Sequence, residues 1–420
     1  MKINLKKSIV AAAVSAAVLS TPFAAHATNG YFSHGYGVKA KGMAGAGVAY
    51  SQDSLAAATN PAGMVRVGSR WDAGAEVFVP DRTATTAWGS GAGFPTSTVY
   101  DGNGSGFGES WFLIPEFGYN KMVNSNMSWG VSVFGNGGMN TSYDKPIFSA
   151  TAENTGIDLM QLFISPTLSI RLDSKNTLGV SVNVVYQRFK AEGMTLFGVA
   201  SNGYDSSYGV GFRIGWMGDL TNNLTAGFTY QPKTKMQAFD KYNTLFAEGG
   251  GFDIPANFAL GLAWKATPKM TVALDVERIN YEGIKSISNL NNFSVDGSAT
   301  SAGFGWKDMT VYKLGLDFKV NRDLVVRAGW NHGGQPIPQS ETLFNVVAPA
   351  TVEDHLTLGF TMNMNGGELS GFYMHAFDNN ITGVPGGGAT GPGGTGAQNP
   401  GSANIGMSQN AFGIAYGKKF

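Results

Sequence analysis

Short and long connections alternate along this chain, between segments in which large apolar residues recur at every second position. Leu178, Val180, Val182, Val184 and Tyr186 form one such row, with small or polar residues between them. A period of two predicts β-strands with one apolar and one polar face. Short turns such as 173–176 and 321–323 alternate with long glycine-rich connections such as 136–160 and 379–408. This arrangement predicts an outer-membrane barrel with tight periplasmic turns and long external loops, whereas a soluble sandwich does not require it.

The number of strands and the last residue support the same interpretation. The alternating runs between Arg70 and Phe420 number about fourteen, and such barrels have an even number of antiparallel strands. Phe412, Ile414, Tyr416 and Phe420 share one face of the last run. A terminal Phe on an alternating strand resembles the assembly signal of outer-membrane barrels. The fold class predicted is therefore an all-β transmembrane barrel.

Composition excludes several other classes of protein. The chain has 29 basic and 29 acidic residues, so it lacks the basic surface that a nucleic-acid partner needs. It has no cysteine, which excludes disulfides and thiolate metal sites. We expect no catalytic residues, metal or cofactor, because His26, His34, His332, His355 and His375 match no metalloprotease spacing and no nucleophile-elbow motif is present. A phospholipase with distant Ser and His residues is disfavoured for the same reason.

The N-terminus predicts export, and two further units follow it. Lys2, Lys6 and Lys7 precede an apolar run from Ile9 to Leu19 and an Ala25-His26-Ala27 cleavage site. This pattern predicts a signal peptide over residues 1–27, since the apolar run is shorter than the ~20 residues of a membrane anchor. We expect an N-terminal plug over 28–69 and a barrel over 70–420, in the outer membrane of a Gram-negative bacterium.

Residues 28–69 are predicted to fold inside the barrel. A barrel of about fourteen strands has a lumen too wide for wall side chains to fill. The segment is rich in Gly and Ala, which permit close packing, and Ala56–Ala58 can form a turn of helix that Pro61 ends. The alternative is a disordered periplasmic tail, since glycine-rich composition also fits disorder.

Several motifs resemble the long-chain fatty acid transporter family of outer-membrane barrels, which includes FadL-like and toluene/xylene-type members. In the plug these are Asn29-Gly30-Tyr31, Gly42 to Gly47 and Asn60-Pro61-Ala62-Gly63-Met64; later come Gly137-Gly138-Met139-Asn140, Gly305-Trp306-Lys307-Asp308, Arg327-Ala328-Gly329 and Pro336-Ile337-Pro338. The resemblance implies passive uptake of hydrophobic molecules through an external groove and a pocket closed by the plug, or hatch. Ligand would leave sideways at a kinked third strand.

The resemblance and the residue pattern together suggest site residues. Hatch and gating positions are Thr28, Asn29, Gly30, Tyr31, Asn60, Pro61 and Ala62. The kink is expected at Gly135, Asn136, Gly137 and Gly138, a run that also fits an ordinary loop start. Apolar loop residues that need burial or a ligand include Phe94, Phe148, Leu159, Phe163, Phe197 and Phe293. A ligand carboxylate would pair with Lys307 or Arg327.

Alternatives concern the cargo and the path. The expected partners are long-chain fatty acids or aromatic hydrocarbons, together with the bilayer and lipopolysaccharide, and we expect a monomer. A general aqueous porin is the main rival, and it would need an unobstructed polar lumen. The sequence neither supports nor excludes an added role of the loop Val384 to Gly401 in adhesion or phage reception.

Overall fold

The computed structural model describes residues 28–87, 98–105, 108–149, 151–292, 294–364, 366–384 and 402–420. Within these ranges the chain forms a closed antiparallel barrel of fourteen strands with one additional short strand, β2. The strands are β1 (Arg70–Ala87), β2 (Thr98–Asp101), β3 (Phe112–Asn124), β4 (Met127–Ser142), β5 (Gly156–Arg171), β6 (Asn176–Glu192), β7 (Asp205–Asp219), β8 (Leu224–Gln231), β9 (Asn257–Thr267), β10 (Met270–Ile279), β11 (Met309–Lys319), β12 (Leu324–Gly333), β13 (Asp354–Met364), β14 (Gly367–Thr382) and β15 (Ser402–Lys419).

Pairing of the first and last strands closes the barrel. β1 and β15 pair along their whole lengths, from Arg70 with Lys419 to Ala87 with Ser402. The apolar residues of each strand, such as Leu178, Val180 and Val182 on β6, are exposed on the outer face, where lipid covers them. The even strand count and the outward apolar rows are confirmed by this architecture.

Helical elements are short. They are α1 (Val38–Lys41), α2 (Ala56–Thr59), α3 (Met64–Val67), α4 (Ala247–Gly250) and α5 (Lys285–Ser288), with 3-10 helices at Pro61–Gly63, Thr195–Phe197, Asp240–Tyr242, Tyr281–Gly283, Gln339–Glu341 and Phe344–Val347. Among the residues described, no helix is long and apolar enough to cross a membrane. The predicted signal peptide, Phe94, Phe293 and most of the loop 384–401 lie outside the described residues.

Strand ends differ from the sequence pattern mainly on the external side. The pattern ends the third barrel strand at Gly135 and begins the next at Gln161, but β4 runs to Ser142 and β5 begins at Gly156. β1 likewise continues past Val79 to Ala87, and β2 pairs with this extension. The sequence pattern did not predict these extensions, because they are rich in glycine and polar residues and show no side-chain alternation. Backbone pairing with a neighbouring strand holds them in the sheet.

Residues 28–69, the hatch, lie inside the barrel. Hatch backbone groups bond side chains of many strands: Asp275 of β10 accepts from the Gly47 and Val48 amides at 2.7 and 3.0 Å, and Asp72 of β1 accepts from the Ser54 amide at 2.9 Å. A belt of wall glycines surrounds the hatch. A Cβ added to any of these glycines would lie less than 3.0 Å from a hatch atom: Gly118, Gly179, Gly215, Gly227, Gly315, Gly329 and Gly359. The hatch therefore fills the lumen at van der Waals distance.

Candidate functional site

The wall is interrupted between β3 and β4 on the external side of the barrel. These strands pair only from Phe117 with Val133 to Asn124 with Met127. Beyond Val133, β4 pairs with β5 on its other side, and β3 from Phe112 to Glu116 pairs only with β1 in the described part of the chain. Pro115 lies on this unpaired edge of β3, where a residue without an N–H is tolerated. We call this interruption the β3–β4 window.

A bulge in β4 faces the hatch beside the window. The pairing register with β5 shifts between Gly135 and Gly137, so that Asn136 is the extra residue. The hatch takes over the freed backbone groups: the Ser33 amide donates to the Asn136 carbonyl and the Gly138 amide donates to the Tyr31 carbonyl, both at 2.9 Å. Because a Cβ on Gly137 would lie 1.8 Å from the Tyr31 carbonyl oxygen, only glycine permits this approach.

Tyr31 lies at the centre of a buried aromatic group. Its ring centroid is 5.4 Å from that of Tyr281, 6.2 Å from that of Trp306 and 6.0 Å from that of Phe252. The Tyr281 hydroxyl accepts from the Tyr31 amide at 3.1 Å and donates to the Asn29 carbonyl at 2.5 Å. Two motifs singled out from the sequence, at Asn29 to Tyr31 and at Gly305 to Asp308, therefore meet here.

Gly30 and Thr28 form a tight turn at the start of the hatch. Gly30 has a φ of 64°, and a Cβ there would lie 2.5 Å from the Tyr281 hydroxyl. A positive φ and the close ring both favour glycine. The Thr28 hydroxyl donates to the Phe32 carbonyl at 2.5 Å, which closes a tight turn at the first described residue. The turn directs Tyr31 and Phe32 towards β4.

The loop residues predicted to form a groove lie in a buried apolar cluster between the hatch and the external loops. Phe148, Leu159 and Phe163 are almost fully buried, and Phe197 is 7% exposed. We define the external apolar cluster by these residues and their neighbours, among them Tyr31, Phe32, Phe134, Met139, Val185, Phe189, Phe246, Phe252, Tyr281, Trp306, Phe344 and Val346. In this conformation the predicted groove residues pack against one another, and the cluster covers the hatch on its external side.

Asn60, Pro61 and Ala62 fix the far part of the hatch to the wall. The Asn60 side-chain amide donates to the Val48 carbonyl at 2.7 Å and to the Trp216 carbonyl at 3.1 Å. Its oxygen accepts from the Ala62 amide at 3.1 Å and caps the 3-10 helix that Pro61 begins. Such a cap suits Asn, whose short side chain bonds its own backbone two residues on. This motif anchors the hatch within the belt of wall glycines.

Neither predicted carboxylate partner joins the external apolar cluster. Lys307 is 57% exposed and pairs with Glu282 at 3.1 Å. Arg327 is buried below the hatch, where it pairs with Asp317 at 3.0 Å and donates to Gln52 at 2.8 Å. Both cations are already neutralised by carboxylates of this chain.

Charged groups surround the hatch on its periplasmic side. Lys39 pairs with Glu368 at 2.5 Å, and Lys41 pairs with the buried Glu76. Burial, together with the nearby Asp72 carboxylate, raises the pKa of Asp53 in the hatch above its usual range. Buried ion pairs of this kind are costly to break one partner at a time. They hold the body of the hatch in place and make its surroundings unfavourable for an apolar molecule.

Sequence reasoning did not single out three residues that contact the hatch or border the window. Tyr281 and Arg82 lie near strand ends without a motif of their own, and Asp275 lies within β10, where no sequence pattern indicates its bonds to the Gly47 and Val48 amides. Arg82 is 1% exposed, and its guanidinium donates to the Asn140 carbonyl at 2.6 Å and the Asn140 side chain at 2.8 Å, at the external end of the window. The described hydrogen bonds of the Arg82 guanidinium all go to neutral oxygens, and the Asp81, Asp101 and Glu109 carboxylates lie nearby.

The barrel is closed, its apolar side chains face outwards, and its N-terminal segment lies inside the lumen. These features define an outer-membrane β-barrel channel with an internal plug. The chain matches the family described as outer membrane protein transport protein (OMPP1/FadL/TodX) over residues 22–370. It belongs to this family, whose members are outer-membrane transporters of hydrophobic compounds rather than enzymes. The family resemblance seen in the sequence motifs is confirmed.

Solved structures share the fold. The chain is similar to a Pseudomonas aeruginosa FadL homologue, with a TM-score of 0.68 and 17% identity over 93% of this chain and 100% of that one. It is also similar to the Pseudomonas putida toluene transporter TodX, with a TM-score of 0.64 and 18% identity over 94% of this chain and 100% of that one. The Ralstonia pickettii toluene transporter TbuX gives a TM-score of 0.64 and 18% identity over 92% of this chain and 99% of that one. No curated protein matches the chain significantly.

Proposed function

We propose that this protein takes up hydrophobic molecules passively across the outer membrane and releases them sideways into the bilayer through the β3–β4 window. The observation that carries the proposal is the unpaired backbone of β3 and β4 next to the bulge that the hatch contacts. Outside the window lies lipid, where an apolar molecule is stable. On its inner side, Phe134 packs on Phe163 of the external apolar cluster, with ring centroids 5.5 Å apart.

The alternative path, straight through the barrel to the periplasm, is unfavourable for such a molecule. The hatch fills the lumen within the glycine belt, and ion pairs such as Lys41–Glu76 line its periplasmic side. An apolar ligand on that route would displace water from charged groups without replacing their hydrogen bonds. The same obstruction disfavours a general aqueous porin.

Gating in this proposal is local. The body of the hatch is fixed by many polar contacts, each contributing roughly 0.5–1.5 kcal/mol, so its removal as a whole is costly. Only residues 28–36 need to shift to release the bulge, because Tyr31 and Ser33 supply the backbone bonds to β4. Ligand that inserts among Tyr31, Tyr281 and Trp306 would displace this end of the hatch and open a path to the window.

A neutral ligand, such as a monoaromatic hydrocarbon, is the cargo we favour. Lys307 and Arg327 are already paired with Glu282 and Asp317, so neither offers a free charge to a carboxylate. Two of the similar solved structures are described as toluene transporters, which agrees with this choice. We further propose that residues 1–27 are a cleaved signal peptide, that the protein acts as a monomer and that lipopolysaccharide surrounds its external rim.

A long-chain fatty acid is the second candidate, and Arg82 is the observation in its favour. The buried Arg82 guanidinium bonds only neutral oxygens directly, with the Asp81, Asp101 and Glu109 carboxylates nearby, and an incoming carboxylate would form a direct ion pair with it. Replacement of Arg82 by Gln distinguishes the two cargoes. Loss of fatty acid uptake with toluene uptake unchanged would assign the fatty acid, whereas equal uptake of both by variant and native protein would assign the neutral ligand.

Two experiments test the uptake itself. Deletion of residues 28–31 should change the rate at which cells take up a radiolabelled hydrophobic compound, since it removes Tyr31 from the bulge and from Tyr281. Liposome swelling tests the porin alternative: sugars should enter proteoliposomes no faster than empty liposomes. Brisk sugar entry, or uptake unaffected by the deletion, would contradict the proposal.

A further inference from the structure

A cavity opens at the periplasmic end of the barrel, on the opposite side of the hatch from the external apolar cluster. It has a volume of about 790 Å³ and lies between hatch residues Tyr50–Gln52 and the periplasmic ends of β11 to β14. We call it the periplasmic vestibule. Its volume is that of an ordinary small-molecule site. Its composition, however, is unlike that of a site for an apolar cargo.

Positive charge dominates the vestibule. Seven basic and three acidic side chains line it, an excess of four positive charges in a chain that is neutral overall. The inner basic residues are paired: Lys39 and Arg70 with Glu368, and Arg327 with Asp317. The inner wall is therefore close to neutral, and the excess lies at the outer part of the cavity.

The outer part contains four exposed cations, Lys269, Lys319, Arg322 and Lys419, and one exposed carboxylate, that of Asp323. In the described part of the chain, none of these cations has a carboxylate within ion-pair distance. Lys319 and Lys419 lie on the lumen-facing side of their strands, since Lys319 shares its face with the buried Asp317 and Lys419 pairs in register with the buried Arg70. Lys319 and Lys419 consequently lie at the cavity mouth and do not face lipid.

We propose that the periplasmic vestibule binds a compact, water-soluble polyanion that carries two or more carboxylate or phosphate groups. A concave site with several like charges and low-dielectric walls focuses the field and concentrates counter-ions of opposite sign. A ligand with two or more anionic groups is attracted by more of these cations than a ligand with one. The site is reached from the periplasm, and it is independent of the route by which hydrophobic cargo crosses the wall.

Binding of citrate and of pyrophosphate to the purified full-length protein tests the proposal by calorimetry in neutral detergent. Replacement of both Lys319 and Lys419 by Gln should weaken binding roughly tenfold or more, because two attractive charges at short range are lost. Replacement of Lys121 and Lys175 by Gln removes the same charge from exposed positions outside the vestibule and should leave the affinity unchanged. Glycerol, a neutral probe, should not bind.

The salt concentration and the presence of anionic lipid are varied in two further measurements. Affinity should fall steeply between about 20 mM and about 300 mM salt, since exposed charges are screened over a Debye length. The proposal would be overturned if the Lys319/Lys419 and Lys121/Lys175 double variants bound the anions equally weakly, or if the native protein bound neither anion at low salt. Competition between citrate and phosphatidylglycerol in nanodiscs would also overturn it, because the anion would then be a lipid headgroup. Circular dichroism of both double variants confirms that each is folded.

Discussion

Replacement of Gly137 by Ala is the substitution that most sharply perturbs the contact between hatch and wall. The new methyl group would lie 1.8 Å from the Tyr31 carbonyl oxygen, closer than any non-bonded contact allows. The hatch must move away from β4, since Gly137 is held in the wall by its pairing with Gln161 of β5. We therefore expect the first residues of the hatch to detach while the barrel stays intact.

The magnitude follows from the hydrogen bonds that are lost. The displacement breaks the bonds from the Gly138 amide to Tyr31 and from the Ser33 amide to Asn136, both 2.9 Å long. At about 0.5–1.5 kcal/mol each, their loss lowers the free energy of opening by roughly 1–3 kcal/mol. Since 1.4 kcal/mol is about a factor of ten, the open population should rise roughly fivefold to 150-fold.

Hydrogen exchange followed by mass spectrometry measures this population. The Ser33 and Gly138 amides should exchange faster in the Gly137→Ala protein by that factor, while amides of the anchored segment around Asn60 should not change. Gly334→Ala is the matched control, because a Cβ there meets no described atom within 4 Å. Exchange at Ser33 that is equal in the variant, the control and the native protein would refute the argument.

Three further outcomes are expected. Tyr281→Phe removes the hydroxyl that accepts from the Tyr31 amide and donates to the Asn29 carbonyl, which keeps only the Phe32 amide as donor, so exchange at Tyr31 should accelerate by a factor close to that of Gly137→Ala. Asp275→Ala removes the two hydrogen bonds that the Gly47 and Val48 amides donate to the wall. The body of the hatch should then be cleaved by protease in detergent, while the barrel stays resistant. The raised pKa of Asp53 means that the folded hatch binds a proton more tightly than the unfolded hatch. Its resistance to urea should therefore rise as the pH falls from 8 to 5, and Asp53→Asn should reduce this change.

Much of the wall could be predicted from the sequence, because strand alternation is a local property. Outward rows such as Leu178 to Val184 follow from lipid on one side and a filled lumen on the other. The external end of β4 could not be predicted, since Gly135 to Gly138 also fits a loop and its pairing with β5 depends on residues more than twenty positions away. The same limit applies to β1 beyond Val79.

The site was predicted in part, and the omissions have a common cause. Asn29 to Tyr31 and Asn60 to Ala62 form recognisable motifs, because each bonds its own backbone or needs glycine at a fixed position. Tyr281 acts only through a hatch residue about 250 positions away, so no local pattern indicates it. The wall glycines are visible one by one, but a lone glycine in a strand equally fits a bulge or a weak strand.

A reversible covalent clamp across the β3–β4 window tests the central claim most directly. The chain has no cysteine, and a Cβ on Gly135 would lie 3.2 Å from the Ile114 Cγ2 atom, so Ile114→Cys with Gly135→Cys can form a disulfide across the gap. Val180→Cys with Ile214→Cys, neighbours in register on the outer face of β6 and β7, is the control pair.

The measurement is cellular uptake of a radiolabelled hydrophobic compound before and after oxidation. The account predicts that oxidation abolishes uptake in the window pair, that a reductant restores it and that the control pair is unaffected. Undiminished uptake with the window fully crosslinked would show that cargo leaves by another route.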